Sequence, residues 1–149
     1  VLMAIISPFS GRISDKINPG IVASFGMFLT FISLFIFVFL ETKTKILFIL
    51  LNLILLGIGL GFFASPNTNA IMSSAPKKFY GIAAGMLATM RVLGQMFSMA
   101  LIGTILSFCM GNKKIIPENF PLFLKTLKIS FLTFSILCFF GIFASLKRK

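Results

Sequence analysis

Residues 46–65 read ILFILLNLILLGIGLGFFAS, and none of these side chains is charged. A bilayer has a hydrocarbon core about 30 Å thick, and a helix needs roughly 20 apolar residues to cross it. Residues 20–40 form a second uncharged run that meets the same requirement. The two runs predict two successive membrane-spanning helices.

The composition extends this prediction to the whole chain. Of its 149 residues, 58% are hydrophobic and only 11% are charged, whereas a soluble domain carries about 25% charged residues. Two further apolar stretches, each with a few polar interruptions, follow the first two. We predict an all-α, polytopic transmembrane helix bundle with four complete spans, preceded by the end of a fifth helix. The spans are at 20–40, 46–73, 80–108 and 123–146, and the helix end is at 1–8. Because a run of that length is too short to cross a bilayer, we expect the N-terminal part of the protein to lie outside this sequence.

The positive charge is concentrated between the apolar stretches. The net charge is +11, but the Lys and Arg residues occur mainly in pairs at the ends of these stretches rather than on one basic surface. This pattern is typical of anchoring at lipid headgroups and argues against a nucleic acid partner. Because cytoplasmic loops carry an excess of Lys and Arg, we predict a multi-pass protein of the cell membrane. Residues 9–19, residues 74–79 and the C-terminus are predicted to be cytoplasmic.

The sequence lacks the residues of most catalytic sites. It contains no His, and its acidic residues are limited to Asp15, Glu41 and Glu118, all in predicted loops. A Ser-His-Asp triad, a His-based metal site and a close carboxylate pair are therefore excluded. Cys109 and Cys138 form no CxxC motif. We predict that the protein is not an enzyme and binds no metal or cofactor.

Glycine occurs repeatedly inside two of the predicted spans. Three alternate glycines precede a proline in one span, and a GxxxG pair opens the next. Glycine allows a second backbone to approach closely, and proline removes a backbone donor and bends a helix. For the glycines alone, helix packing without a further role is the simpler interpretation. The predicted packing and bending residues are Gly57, Gly59, Gly61, Pro66, Gly81, Gly85 and Gly94.

Polar side chains inside the spans need an explanation, because they are costly in lipid. Arg91 lies about 16 Å into its predicted span, where a guanidinium costs at least about 2.5 kcal/mol. Two interpretations remain open: it clamps the carbonyls of a neighbouring helix, or it contacts a substrate or coupling ion. Asn67, Asn69, Arg91 and Gln95 are the candidate pathway residues. For Asn52, a buried hydrogen bond between helices is the favoured role.

Residues 11–16 resemble a known signature. Their sequence GRISDK fits the G-x-x-x-D-[RK] core of the loop signature of the major facilitator superfamily. This signature lies between the second and third helices of each six-helix half and is cytoplasmic. The signature residues are Gly11, Arg12, Asp15 and Lys16. We expect Gly11 to approach a neighbouring helix and Asp15 to dock on a helix N-terminus or an Arg. The basic continuation of the signature is absent here.

A second resemblance concerns residues 57–95, which begin GIGLGFFASPNTNA and end MRVLGQ. They are similar to the corresponding stretch of the fourteen-helix drug:proton antiporter branch of this superfamily, whose members export drugs, dyes and antiseptics. The resemblance implies that the chain comes from the C-terminal half of the fold. It also implies a proton-driven multidrug efflux antiporter that takes small hydrophobic or cationic drug-like substrates and uses the proton gradient, with no cofactor. Without its N-terminal part, we expect the chain to be inactive in transport.

Two alternatives remain at this point. One is a major facilitator transporter for another small solute, such as a sugar or metabolite. The other is a small membrane protein with a structural or assembly role, which would begin close to residue 1.

Overall fold

The computed structural model describes residues 2–14, 17–41, 44–111 and 119–146. These residues fold into long α-helices with no β-strand among them, and a short 3-10 turn, Lys77–Phe79, joins the third helix to the fourth. The predicted all-α class is therefore confirmed. The helices are α1 Leu2–Ser14, α2 Pro19–Val38, α3 Ile46–Ser74, α4 Tyr80–Met110 and α5 Phe120–Leu146.

Four of these helices, α2 to α5, are long and apolar enough to cross a membrane. Large apolar side chains are exposed on their outer surfaces, for example Leu47, Met99 and Phe140. A soluble protein would bury such a continuous apolar surface, whereas lipid tails can cover it. The chain is therefore a multi-pass membrane protein in a lipid bilayer.

The first helix is longer than the sequence predicted. We expected a helix end at residues 1–8 and a loop at 9–19, but α1 continues through Pro8 to Ser14. The reason is that this segment packs against another helix: the fully buried Ser10 hydroxyl donates to the Gly61 carbonyl of α3 over 2.9 Å. Polarity in this segment therefore does not mark a solvent loop.

The start of α2 follows the usual rules for a helix N-terminus. The Asn18 side chain accepts a hydrogen bond from the Gly20 amide at 3.0 Å. Pro19, at the first helical position, has no N–H that would need a partner. The cap and the proline together fix the boundary between α1 and α2.

The core of the bundle is the crossing of α2 and α3. A Cβ atom built on Gly26 would lie 2.5 Å from the Phe63 amide nitrogen, and one built on Gly59 would lie 2.6 Å from Thr30 Oγ1. Such distances are too short for a side chain, so the two backbones meet only because both positions are glycine. The Thr30 hydroxyl donates to the Gly26 carbonyl at 2.9 Å within α2.

A reciprocal hydrogen-bond pair holds the same two helices further along. The Asn52 side-chain amide donates to the Ser33 carbonyl, and the Ser33 hydroxyl donates to the Asn52 carbonyl, each over 3.0 Å. Both residues are buried. The predicted interhelical role of Asn52 is thus confirmed.

Helix α5 packs on the other side of α2. The rings of Phe37 and Phe131 stack with centroids 5.0 Å apart. Towards the other end of α5, the Ser24 hydroxyl donates to Ser145 Oγ at 2.9 Å. Helix α4 contrasts with this core, since Met110 is its one buried residue in a helix that the structure describes throughout. Helices α2, α3 and α5 therefore form the packed centre, and α4 stands at its edge.

Candidate functional site

A cavity of about 390 Å³ lies between the second half of α3 and the first half of α4. It is located where α4 turns back along α3, and we call it the Arg91 pocket. The short 3-10 turn between the two helices lies at the end of the bundle that also holds Asn18 and Ser145, which we call the signature end. The lining residues are Phe63, Ala64, Asn67, Thr68, Ile71, Leu87, Met90 and Arg91.

The Arg91 pocket brings together two of the four candidate pathway residues. Asn67 of α3 and Arg91 of α4 both line it. Asn69 lies apart from the pocket, near Gly11: its Nδ2 is 3.9 Å from where a Cβ on Gly11 would stand. Gln95 is exposed about one turn beyond Arg91. The structure thus associates an amide and a guanidinium across two helices.

The electrostatics of the pocket follow from Arg91. Its side chain is exposed in the described chain. Glu41 is the one acidic residue within the described ranges, and it follows α2 at the end opposite the signature end. Arg91 therefore forms no ion pair with any described residue, and its positive charge lies at one wall of the cavity. Thr68 adds a hydroxyl whose hydrogen is already donated to the Ala64 carbonyl at 2.8 Å.

The predicted signature segment packs against the same part of α3. A Cβ built on Gly11 would lie 3.1 Å from Ser65 Oγ, so this glycine approaches a neighbouring helix. Arg12 is exposed beside Pro8 and Phe9. Asp15 and Lys16 lie outside the described residues, so the docking role expected for Asp15 stays a prediction.

The predicted packing residues divide by helix. In α3, Gly59, Gly61 and Pro66 are buried, and Gly57 is half-buried. In α4, a Cβ built on any of three predicted packing glycines would meet no atom within 4 Å in the described chain. Their packing role stays a prediction. These three residues are Gly81, Gly85 and Gly94.

Sequence reasoning missed Gly26, where an added Cβ would overlap the backbone of α3. The signal was present, since small residues recur at Ala23, Gly26, Thr30 and Ser33. This spacing of three and four positions places small residues on one helix face, as in GxxxG-type packing. Because residues 20–40 are strongly hydrophobic and uncharged, the positions of the charges did not indicate this helix face.

Two further cavities lie at the ends of the bundle. One, of about 180 Å³ at the signature end, is polar and is lined by Asn18, Asn67, Ser73 and Ser145 among others. The second, of about 390 Å³, lies at the opposite end between Glu41, Lys125 and Lys128. Asn67 lines both the polar cavity and the Arg91 pocket, so the two spaces share one wall.

Four apolar helices, packed through glycine and serine and covered outside by Phe and Leu, define an integral membrane protein. The sequence profile of the Major Facilitator Superfamily matches residues 1–148, and the chain belongs to this superfamily. It is also similar to the uncharacterized transporter YebQ of Escherichia coli (strain K12), with 35% identity over 103 residues. No solved structure matches the chain.

The match to YebQ covers 69% of this chain but 22% of the relative. The match therefore spans a small part of the length of this relative, which is itself described as a transporter. Because the superfamily consists of transporters, membrane transport is the function that these comparisons support.

Proposed function

We propose that this chain is the C-terminal part of a proton-driven multidrug efflux antiporter of the fourteen-helix branch. The superfamily match and the transporter relative support transport. The stretch at residues 57–95 supports the drug:proton branch, because its glycines, its proline and Arg91 fall where that branch has them. The proton gradient is the proposed energy source.

The observation that carries this proposal is the Arg91 pocket. A guanidinium and an amide line this mostly apolar cavity, and Arg91 lies about 16 Å along α4, near the middle of a bilayer. Transporter sites lie near the bilayer midplane, and a charged residue there is functional by default. The apolar lining suits small hydrophobic drug-like compounds, and the family resemblance adds cationic ones.

The missing partner in this proposal is the preceding part of the transporter. The matched residues cover 22% of the relative, and α4 presents Gly81 and Gly85 with open space beside them. We propose that preceding helices cover this face of α4 and complete the pathway. On its own, the chain is then inactive.

The proposed orientation places the signature end in the cytoplasm. Arg12, Lys77 and Lys78 lie at or close to that end, and Lys and Arg are enriched in cytoplasmic loops. Because α1 continues to Ser14 and Ser10 packs on Gly61 of α3, the proposed cytoplasmic part of segment 9–19 is limited to residues 15–19. These residues, residues 74–79 and the C-terminus are then cytoplasmic, in a multi-pass protein of the cell membrane. The contact between α1 and α3 lies on the same side and is suited to bias the alternating-access equilibrium.

The test uses the full-length protein reconstituted in vesicles loaded with a hydrophobic dye, a cationic dye in one preparation and an anionic dye in another. A pH gradient is imposed, and dye release is followed by fluorescence. We expect release that depends on both protein and gradient and that stops when a protonophore is added. Protein-free vesicles are the control. Gradient-independent release, or movement of a sugar in place of the dye, would favour the transporter for another solute and contradict the proposal.

A further inference from the structure

The positive charge of Arg91 restricts which ligands the Arg91 pocket can bind. Arg91 lies about 16 Å along α4 from its start, near the middle of a bilayer. A guanidinium at this depth needs an anionic partner or a wet cavity. Within the described ranges the one carboxylate is Glu41, at the opposite end of the bundle. The anion that satisfies Arg91 therefore does not come from this part of the chain.

The geometry of the guanidinium restricts that anion further. Its planar fork of N–H donors matches two oxygens of a carboxylate or sulfonate. A neutral group binds these donors less strongly. The hydroxyl of Thr68 has its hydrogen committed to the Ala64 carbonyl. Arg91 is consequently the strongest donor on the pocket wall, and it attracts acidic groups while repelling ammonium groups.

The remaining wall suits an apolar body attached to such a group. Phe63 and Ile71 of α3 and Leu87 and Met90 of α4 are the large apolar side chains that line it. Small-molecule sites of about 300–1,000 Å³ are common, and most are apolar with a few placed polar groups. A cavity of about 390 Å³ accommodates a compact aromatic acid.

We infer that the Arg91 pocket selects amphiphilic organic anions, with the acidic group on Arg91 and the apolar body against Phe63 and Leu87. This inference rests on the proposed proton-driven efflux and concerns only the substrate class: it assigns hydrophobic acids to the Arg91 pocket in place of the cationic compounds that the family resemblance implies.

The test compares three probes that share one anthracene ring: anthracene carboxylate, its methyl ester and anthracene methylammonium. Each is titrated into the purified full-length protein in lipid nanodiscs, and binding is followed by fluorescence. We expect the carboxylate to bind at least about tenfold more tightly than the ester and the ammonium compound to bind most weakly. One such tenfold step corresponds to about 1.4 kcal/mol.

Substitution of the arginine separates charge recognition from folding. Arg91→Gln is expected to weaken carboxylate binding about tenfold and to leave ester binding unchanged, which also shows that the pocket is intact. Arg91→Lys keeps a charge without the planar fork, so carboxylate affinity falls less. The matched control is Lys77→Gln, which removes one positive charge outside the pocket and should change none of the three affinities.

Three outcomes overturn the inference. Tightest binding of the ammonium probe by the unmodified protein is the first. An equal loss of all three affinities in Arg91→Gln is the second, because it assigns Arg91 to a structural clamp or to a carboxylate from the rest of the transporter. Unchanged carboxylate binding in that variant is the third.

The same vesicle assay distinguishes this inference from the proposed function. Gradient-driven efflux without a preference for the acid would support the proposed proton-driven transport and overturn the inferred selection of anions by the Arg91 pocket. Arg91-dependent binding of the acid without any effect of the gradient would support the anion site and contradict the proton-driven mechanism.

Discussion

Two regions of this chain contain closely spaced glycines, and they use them differently. At the crossing of α2 and α3, Gly26 and Gly59 stand so close to the opposite helix that an added Cβ would overlap it. In α4, Gly81 and Gly85 form a GxxxG pair beside which the described chain places nothing within 4 Å. The same residue type therefore marks a filled contact in one region and an uncovered face in the other.

This difference shows that a small-residue motif predicts the close approach of another helix but does not indicate which helix it is. Close approach at the crossing of α2 and α3 is satisfied within this chain, which explains why these helices form its centre. In α4 the described residues supply no such contact, and we propose that a surface from the rest of a larger transporter supplies it. The match to YebQ covers 22% of that relative, which supports this proposal.

The largest effect is expected for Gly26→Ala in the purified protein. The new methyl group would lie 2.5 Å from the Phe63 amide nitrogen, so the two helices must move apart. We expect the free energy of unfolding to fall by about 3 kcal/mol, at the upper end of the usual cost of overpacking. Unfolding in a denaturing detergent, followed by circular dichroism, measures this change.

The control for that variant is Gly103→Ala in α4, where an added Cβ meets no atom within 4 Å. Because alanine favours a helix interior by up to about 1 kcal/mol over glycine, this variant should be neutral or slightly more stable. Similar losses in both variants would show that the two regions do not differ as described.

A smaller effect is expected for the reciprocal pair in the same crossing. Ser33→Ala removes the 3.0 Å hydrogen bond from the Ser33 hydroxyl to the Asn52 carbonyl. We expect a loss of about 1 kcal/mol in the free energy of unfolding, as for other hydrogen bonds between membrane helices. The same detergent titration applies.

Ser98→Ala is the matched control in α4, since the Ser98 hydroxyl donates only to the Gly94 carbonyl of its own helix among the described residues. Its expected change is within about 0.5 kcal/mol. If Ser33→Ala is no more harmful than Ser98→Ala, the hydrogen bond between α2 and α3 does not stabilise the crossing.

The smallest effect is expected where α1 meets α3. Ser10→Ala removes the 2.9 Å hydrogen bond to the Gly61 carbonyl, but α1 also contacts α3 through Gly11. We expect a loss of about 0.6 kcal/mol, the average for such bonds in a membrane protein. Ser14→Ala, whose hydroxyl donates to the Gly11 carbonyl within α1, should change the stability less, and the opposite order would contradict the described contact.

Much of this fold could be predicted from hydropathy alone. Each of the four long helices begins and ends within about three residues of its predicted bounds, because the length of an apolar run is a local property that the bilayer thickness fixes. Asn52 could also be placed, since a lone amide inside a span requires a partner. The helix bounds and the role of Asn52 both follow from the lipid environment, so they could be predicted without knowledge of the tertiary contacts.

The features that escaped prediction depend on neighbouring helices. The continuation of α1 to Ser14 follows from a contact between Ser10 and α3, and the role of Gly26 follows from its place opposite Phe63. For the candidate site, the sequence named Asn67 and Arg91 separately. Their meeting in one pocket depends on how α4 turns back along α3, which no local pattern specifies.

The central claim is that the rest of a larger transporter covers the glycine face of α4. The most direct test introduces Gly85→Leu both in the full-length protein and in the 149-residue chain, and compares the thermal unfolding midpoints of each. We predict an unchanged or slightly higher midpoint in the short chain, where Gly85 has open space beside it, and a clear decrease in the full-length protein together with loss of efflux. A full-length protein that keeps its midpoint and its efflux with Leu at this position would contradict the claim.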